Sequence, residues 1–244
     1  MKNKTILQGF EWDLPADATH WQTIQKKAKE LHDLGFTAVW LPPAYKASSG
    51  IKDVGYGVYD HYDLGEFDQK NTVPTKYGTK DEYLQAIQAL HENELEVYAD
   101  IVFNHLMGAD ETEKVPAVQY NAENRTEAVS GEEEIEAWTK FTYPGRKGMY
   151  NDYVWTWKNF SGVDYDARTK EHAIYNFADK GWDEEVDKED GNFDYLMGCD
   201  LDMENPETVE QLDKWGEWYQ ELTNVDGYRL DAVKHIQFDY YVDW

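Results

Sequence analysis

Cysteine is nearly absent. Cys199 stands alone among 244 residues, so no disulfide can close within the chain. Positive charge is scarce as well: 23 Lys and Arg face 49 Asp and Glu, for a formal net charge of −26. An excess of that size argues against nucleic acid or an anionic membrane surface as a partner, and favours a neutral ligand or a cation. Long apolar runs are also missing. Lys2 and Lys4 are followed by Glu11 and Asp13, with too little apolar chain between them for a secretory signal. No later stretch is long enough to span a membrane. Together with Met1, these absences make a cytoplasmic protein the expectation.

What is abundant is aromatic surface: 10 Trp, 18 Tyr and 9 Phe within a chain that is 41% hydrophobic. That is ample for a folded core. Trp and Tyr combine a large apolar body with a polar tip. Core packing accounts for most such residues, but the same surface suits the apolar faces and polar rims of sugar rings.

Apolar strand and amphipathic helix alternate at the start. Thr5 to Trp12 reads as a strand. Trp21, Ile24, Ala28, Leu31 and Leu34 recur at helical spacing before Gly35. Thr37 to Leu41 is a buried-strand run closed by Pro42 and Pro43. A Gly- and Tyr-rich loop then extends to about Thr79. Leu84, Ile87 and Leu90 mark a second helix, and Glu94 to Val102 a third strand. After His105 the pattern breaks for roughly 100 acidic, aromatic, turn-rich residues. The alternation of Tyr153, Trp155 and Trp157 suggests β structure there. A structureless loop of that length is improbable, so the segment reads as an inserted domain. The series resumes with a helix start at Asn205-Pro206-Glu207 and a fourth strand from Val225 to Leu230. The expected division is barrel over 1–104, inserted β-rich domain over 105–204, and barrel resumed over 205–244. Strand–helix alternation predicts a parallel sheet. Long loops after the strands favour a (β/α)₈ TIM barrel over a doubly wound sheet, although four strands are counted where a barrel needs eight.

Three segments carry candidate chemistry. Arg229 and Asp231 stand two apart on a strand and leave by the same face. A cation beside a carboxylate favours its ionised form, as a carboxylate nucleophile requires. A structural ion pair is the simpler reading. Asp100 to His105 closes the third strand, where Asn104 offers an amide oxygen and His105 an imidazole. Asp194, Asp200, Asp202 and Glu204, with Asp183 nearby, gather acids that would repel unless a cation sat among them. Hard oxygen donors suit Ca²⁺, and a solvated acidic face is the alternative. Tyr56, between Gly55 and Gly57, is a candidate platform for a sugar or a plain turn residue.

The segments Gln8 to Trp12, DIVFNH (100–105) and GYRLDAVKH (227–235) together resemble the α-amylase family of glycoside hydrolases, most like its bacterial liquefying-type and intracellular members. The resemblance covers essentially the whole chain. It implies a (β/α)₈ barrel with a calcium-binding domain inserted after the third strand, and retaining hydrolysis of internal α-1,4-glucosidic bonds. Asp231 would be the nucleophile and Arg229 its charge partner. His105 and Tyr56 would line the sugar pocket, with Lys234 and His235 towards the leaving group. Asp100 would have a mainly structural part there. Asn104, Asp194, Asp200 and the main-chain carbonyl of His235 would hold Ca²⁺, with Asp183 and Asp202 matching part of a larger metal cluster in some relatives. Ser161 stands where those relatives carry an aspartate, so one calcium is expected rather than three metals. The family's acid/base glutamate and third aspartate have no counterpart here. The missing half of the barrel is therefore an expected partner, and the chain alone is expected to be inactive. A non-catalytic glucan- or calcium-binding protein, or a transglycosylase or exo-amylase on the same scaffold, are the alternatives.

Overall fold

The computed structural model describes residues 3–244. Met1 and Lys2, on which the reading of the N-terminus partly rested, lie outside the described residues. In chain order the elements begin β1 (Ile6–Gln8), α1 (His20–Asp33), β2 (Ala38–Leu41), β3 (Lys46–Ala47), β4 (Val58–Asp60), α2 (Lys80–Glu92) and β5 (Glu96–Ile101). They continue with β6 (His105–Leu106), β7 (Glu111–Asn121), β8 (Asn124–Ala128), β9 (Glu133–Lys140), β10 (Phe160–Asp166), β11 (Glu171–Phe177) and β12 (Cys199–Leu201). The last are α3 (Pro206–Thr223), β13 (Gly227–Leu230) and α4 (Phe238–Asp243). The chain forms two compact units. One comprises 1–102, 144–151 and 215–231; the other comprises 103–143, 152–214 and 232–244.

The first unit is built on a four-stranded sheet in the order β1-β2-β5-β13, parallel throughout. It is the sheet that strand–helix alternation predicts. Its second helix, α2, starts at a capping box. Thr79 Oγ1 accepts from the Glu82 N–H, and the Glu82 carboxylate accepts from the Thr79 N–H at 2.8 Å, so two orphan donors are satisfied. Trp21 on α1 is fully buried and packs at 4.8 Å from Tyr83 and 5.3 Å from Tyr77, ring centre to ring centre. The first strand is shorter than its sequence suggests. Gly9 lies so close to β2 that a side chain there would meet Val39 at 2.7 Å; its N–H makes a last bond to the Trp40 carbonyl at 2.8 Å.

The long loop after β2 is ordered by buried charge. Lys46, fully buried, donates to the carbonyls of Phe67, Thr72 and Val73 at 2.7–2.9 Å and pairs with Asp63 at 3.2 Å. Arg146 pairs with Asp60 at 2.9 Å, and Gln69 donates to both aspartates.

The second unit carries a seven-stranded antiparallel sheet, ordered β6-β12-β10-β11-β7-β8 with β9 also on β7. The strands flank, rather than include, the alternating aromatics. Trp155 makes only an isolated bridge with Phe141, and Trp157 opens a 3₁₀ turn. The turn wins because Thr156 and Asn159 cap it reciprocally and the Trp157 N–H goes to Glu113 at 2.8 Å. No described helix is long and apolar enough to cross a membrane.

Candidate active site and candidate metal centre

The parallel register of the first unit sets Arg229 on β13 directly beside Asp100 on β5. Its guanidinium Nη1 donates to Asp100 Oδ1 at 3.1 Å and, by a shorter bond, to Asp231 Oδ1. Asp231 follows immediately after β13, and its own N–H is held by the Ile101 carbonyl at 2.8 Å. One cation thus bridges two carboxylates at the C-terminal ends of neighbouring parallel strands. The two differ in access. The Asp231 side chain is 20% exposed and that of Asp100 is 0% exposed.

Asp100 accepts two more bonds at Oδ2, from the Tyr56 hydroxyl at 2.7 Å and the Trp40 indole N–H at 2.9 Å. Each favours the ionised form, as does Arg229. Burial nevertheless prevails and raises its pKa to about 6. The difference from 3.8 means that desolvation outweighs all three donors by roughly 3 kcal/mol. The Tyr56 hydroxyl is pushed up in turn, first by burial and then by Asp100, so it stays protonated and donates.

Tyr56 is presented by a tight loop. Asp53 Oδ1 accepts from the N–H groups of Gly55 at 3.0 Å and Gly57 at 3.4 Å. Gly55 has φ +103°, and a Cβ there would stand 2.9 Å from Pro43, so this position demands glycine. Trp12 stacks on the Tyr56 ring at 5.8 Å with 10° between planes and is 62% exposed. Trp40 and Trp12 were not singled out in the sequence. A lone Trp in an apolar strand, or at the end of one, carries no signal of its long-range partner.

In the second unit, His105 on β6 stands opposite Asp200 on β12, both buried. Asn104 donates from its amide to Asp200 at 3.5 Å and lies 3.3 Å from His105 Nδ1. Ser161 donates a short bond to the other Asp200 oxygen. Asp194 Oδ2 accepts from the Asp183 N–H at 3.0 Å. Asp183, Asp194 and Asp200 are all buried, and among the described residues none has an ion pair with a cation. Their pKa values move accordingly. Burial, then Glu204 and Asp202, lifts Asp183 to about 6. Asp194 and Asp200 rise well above the ordinary range, through burial and then their acidic neighbours.

Asp200, Asp202 and Glu204 do not share one face of a strand, because β12 stops at Leu201. Asp202 instead pairs with Lys180 at 2.5 Å, and Glu204 is exposed. A cavity of about 280 Å³ lies here, lined by Ser161, Lys180, Asp183, Asp194, Asp202 and Glu204 among others. His235 Nδ1 meets the Phe193 carbonyl at 2.5 Å, one residue before Asp194, and Lys234 pairs with Glu189 at 2.5 Å. Among the described residues no three His, Cys, Asp or Glu side chains converge as a finished metal cluster. The donor chemistry still fits a hard cation: several buried carboxylates without counter-charge, an amide and main-chain carbonyls. Cys199 is free and buried, and its thiol donates to the Trp138 carbonyl at 3.0 Å.

A partly exposed and a buried carboxylate bridged by one arginine stand where the C-terminal ends of parallel strands carry catalytic residues in parallel α/β enzymes. The profile of the α-amylase catalytic domain matches residues 9–243, and the chain belongs to the α-amylase family of glycoside hydrolases. It is 56% identical to an α-amylase of Geobacillus stearothermophilus over 99% of its own length and 44% of that protein's. To an α-amylase of Bacillus licheniformis it is 50% identical, over 99% of its length and 47% of the relative's. To a cytoplasmic α-amylase of Escherichia coli it is 45% identical, over 100% and 50%. The chain thus spans about half the length of the curated relatives it matches. Among solved structures, an Anoxybacillus α-amylase superposes with a TM-score of 0.52 at 21% identity, over 100% of this chain and 42% of that one. That likeness speaks for the fold.

Proposed function

We propose that this chain supplies the nucleophile half of a retaining α-amylase acting on internal α-1,4-glucosidic bonds. In this reading its parallel sheet is the first four βα units of a (β/α)₈ barrel, and the antiparallel sheet is a calcium-binding domain inserted after the third strand. The observation that carries the reading is the single guanidinium of Arg229 bridging partly exposed Asp231 and enclosed Asp100 under Tyr56. Asp231 Oδ attacks the anomeric carbon, the glycosidic C–O bond breaks, and a glycosyl ester forms that water later hydrolyses. Arg229 holds the attacking carboxylate in place. Asp100 positions Tyr56 and Arg229. It cannot serve as the acid/base, because its carboxylate is fully enclosed and bonded on both oxygens. In this reading the proton for the departing oxygen comes from the family's acid/base glutamate, for which no residue here matches the motif. Tyr56 and Trp12 offer an aromatic surface to the glucan; sugar-binding roles for His105, Lys234 and His235 rest on the family resemblance alone.

Asn104, Asp194, Asp200 and the His235 carbonyl would hold Ca²⁺, which supplies the counter-charge that the buried acids lack; Asp183 and Asp202 match part of a larger cluster, and Asp202 already pairs with Lys180. With Ser161 in place of a further acid, one ion is the expected stoichiometry. A cytoplasmic location accords with the relative of that name. One relative, 50% identical, bears the name glucan 1,4-α-maltohexaosidase, so likeness at this level does not fix product length.

Reducing-end release from soluble starch, with Ca²⁺ present, tests this. The chain is assayed alone and with the C-terminal half of the G. stearothermophilus relative. Release only after that addition is expected. Release by the chain alone would overturn the assignment of roles, since a second carboxyl group would then have to be present within it. Sugar binding without turnover in either sample would favour a non-catalytic glucan-binding protein.

A further inference from the structure

The indole of Trp40 touches both partners of Asp231's guanidinium network, yet neither spacing nor exposure marks it. Trp40 is on β2, where the register sets it beside Tyr98 on β5, two residues before Asp100 and on the same face. Its N–H donates to Asp100 Oδ2 at 2.9 Å. Its ring face lies 4.9 Å from the Arg229 guanidinium carbon, within cation–π reach. Phe10 packs edge-on against the same ring at 5.4 Å and 86°, which restrains its rotation. One rigid side chain therefore fixes the acceptor by a hydrogen bond and the cation by its π face.

From this geometry we propose that Trp40 is a positioning residue: it holds Asp100 and Arg229 in register, so that Arg229 meets Asp231 in one orientation. The inference rests on the reading of Asp231 as nucleophile. Without Trp40, Arg229 would lose the surface on which its plane lies, and Asp100 would lose one of three donors while remaining buried. The groups facing Asp100 are Tyr56 and Arg229 by direct bonds. Tyr45, Tyr77, Tyr83 and Asp231 act on the same site at longer range. None of these replaces the indole donor.

The test uses ¹³C NMR of the carboxyl groups in the 244-residue chain, so it does not depend on hydrolysis. Trp40→Phe keeps an aromatic face and removes the N–H. The Asp100 titration midpoint should rise above its wild-type value by about half a unit to one unit, because a donor favouring the ionised form is gone. Trp40→Leu removes the face as well. Its midpoint should rise at least as far, and the Arg229 Nη resonances in ¹⁵N spectra should show faster rotation about Cζ–Nη. An unmoved or lowered Asp100 midpoint in a Trp40→Phe chain with wild-type circular dichroism would overturn the proposal, even if Trp40→Leu fails to fold. Failure of the starch assay with the expected titration shifts would count against the nucleophile assignment and leave the positioning role intact.

Discussion

The two units bury carboxylates on opposite terms. In the first, Asp60, Asp63, Asp100 and Asp231 each meet a cation: Arg146, Lys46 and, for the last two, Arg229. In the second, Asp183, Asp194 and Asp200 are buried among one another and Asp202, and Lys180 serves only Asp202. Removing a carboxylate from water is expensive unless opposite charge and hydrogen bonds compensate. The first unit encodes that compensation in its own side chains. The second does the same for Asp166, beside Arg168 at 3.6 Å, but gives Asp183, Asp194 and Asp200 no such partner, which is why the proposed cation is placed among those three.

The contrast can be broken from either side. The largest expected effect is on turnover. Asp231→Asn, with the complementing half present, should lower glucan hydrolysis by about 10⁴-fold or more, as loss of a member of a catalytic unit does. Glucan binding should persist, and turnover near the wild-type rate would remove Asp231 from the mechanism. Next is Lys46→Met, which keeps the volume but strands Asp63 and three carbonyls. Breaking one partner of a buried pair costs about 3–5 kcal/mol. Urea denaturation should register it, and an unchanged midpoint would mean that the first unit is not held by its internal cations.

The second unit responds in the other direction. Ca²⁺ at about 100 times its dissociation constant should stabilise the chain by about 2.7 kcal/mol, reversed by EGTA. Asp194→Asn should abolish most of the gain. Identical thermal midpoints with Ca²⁺ and with EGTA would erase the difference between the units. The smallest effect is that of Trp12→Ala. With its ring 62% exposed, fold stability should hold, while maltodextrin affinity drops by about 1 kcal/mol from the lost stacking face. Affinity electrophoresis in starch gels reads that directly.

These outcomes depend on features of unequal legibility. The strand–helix alternation was plain from apolar periodicity, as was the helix start at Asn205, whose side chain accepts from the Glu207 N–H at 2.9 Å. A spacing of two on a strand paired Arg229 with Asp231, but that spacing fits a structural ion pair equally, and their proposed roles rest on the resemblance of residues 227–235 to a family motif. The link of Arg229 to Asp100 was not legible, because it depends on register between strands 129 residues apart. Lys46 and Trp40 were silent for the same reason. Their partners are carbonyls and carboxylates far along the chain, and nothing local distinguishes a buried lysine from a solvated one. The aromatic alternation at 153–157 misled because period two also arises where a bridge runs into a capped turn, and side-chain caps decide between the two.

Lys46 has a further consequence. Its ammonium sits among three carbonyls and a carboxylate, much as a monovalent ion would, but it is covalently attached to the chain. Its local concentration is therefore fixed by the backbone and is indifferent to dilution, chelators and the ionic composition of the solvent. The loop that it organises, which leads from β4 to the capping box of α2, is consequently formed in any medium that lets the first unit fold. The Ca²⁺ proposed for the acidic cluster, by contrast, would be subject to mass action.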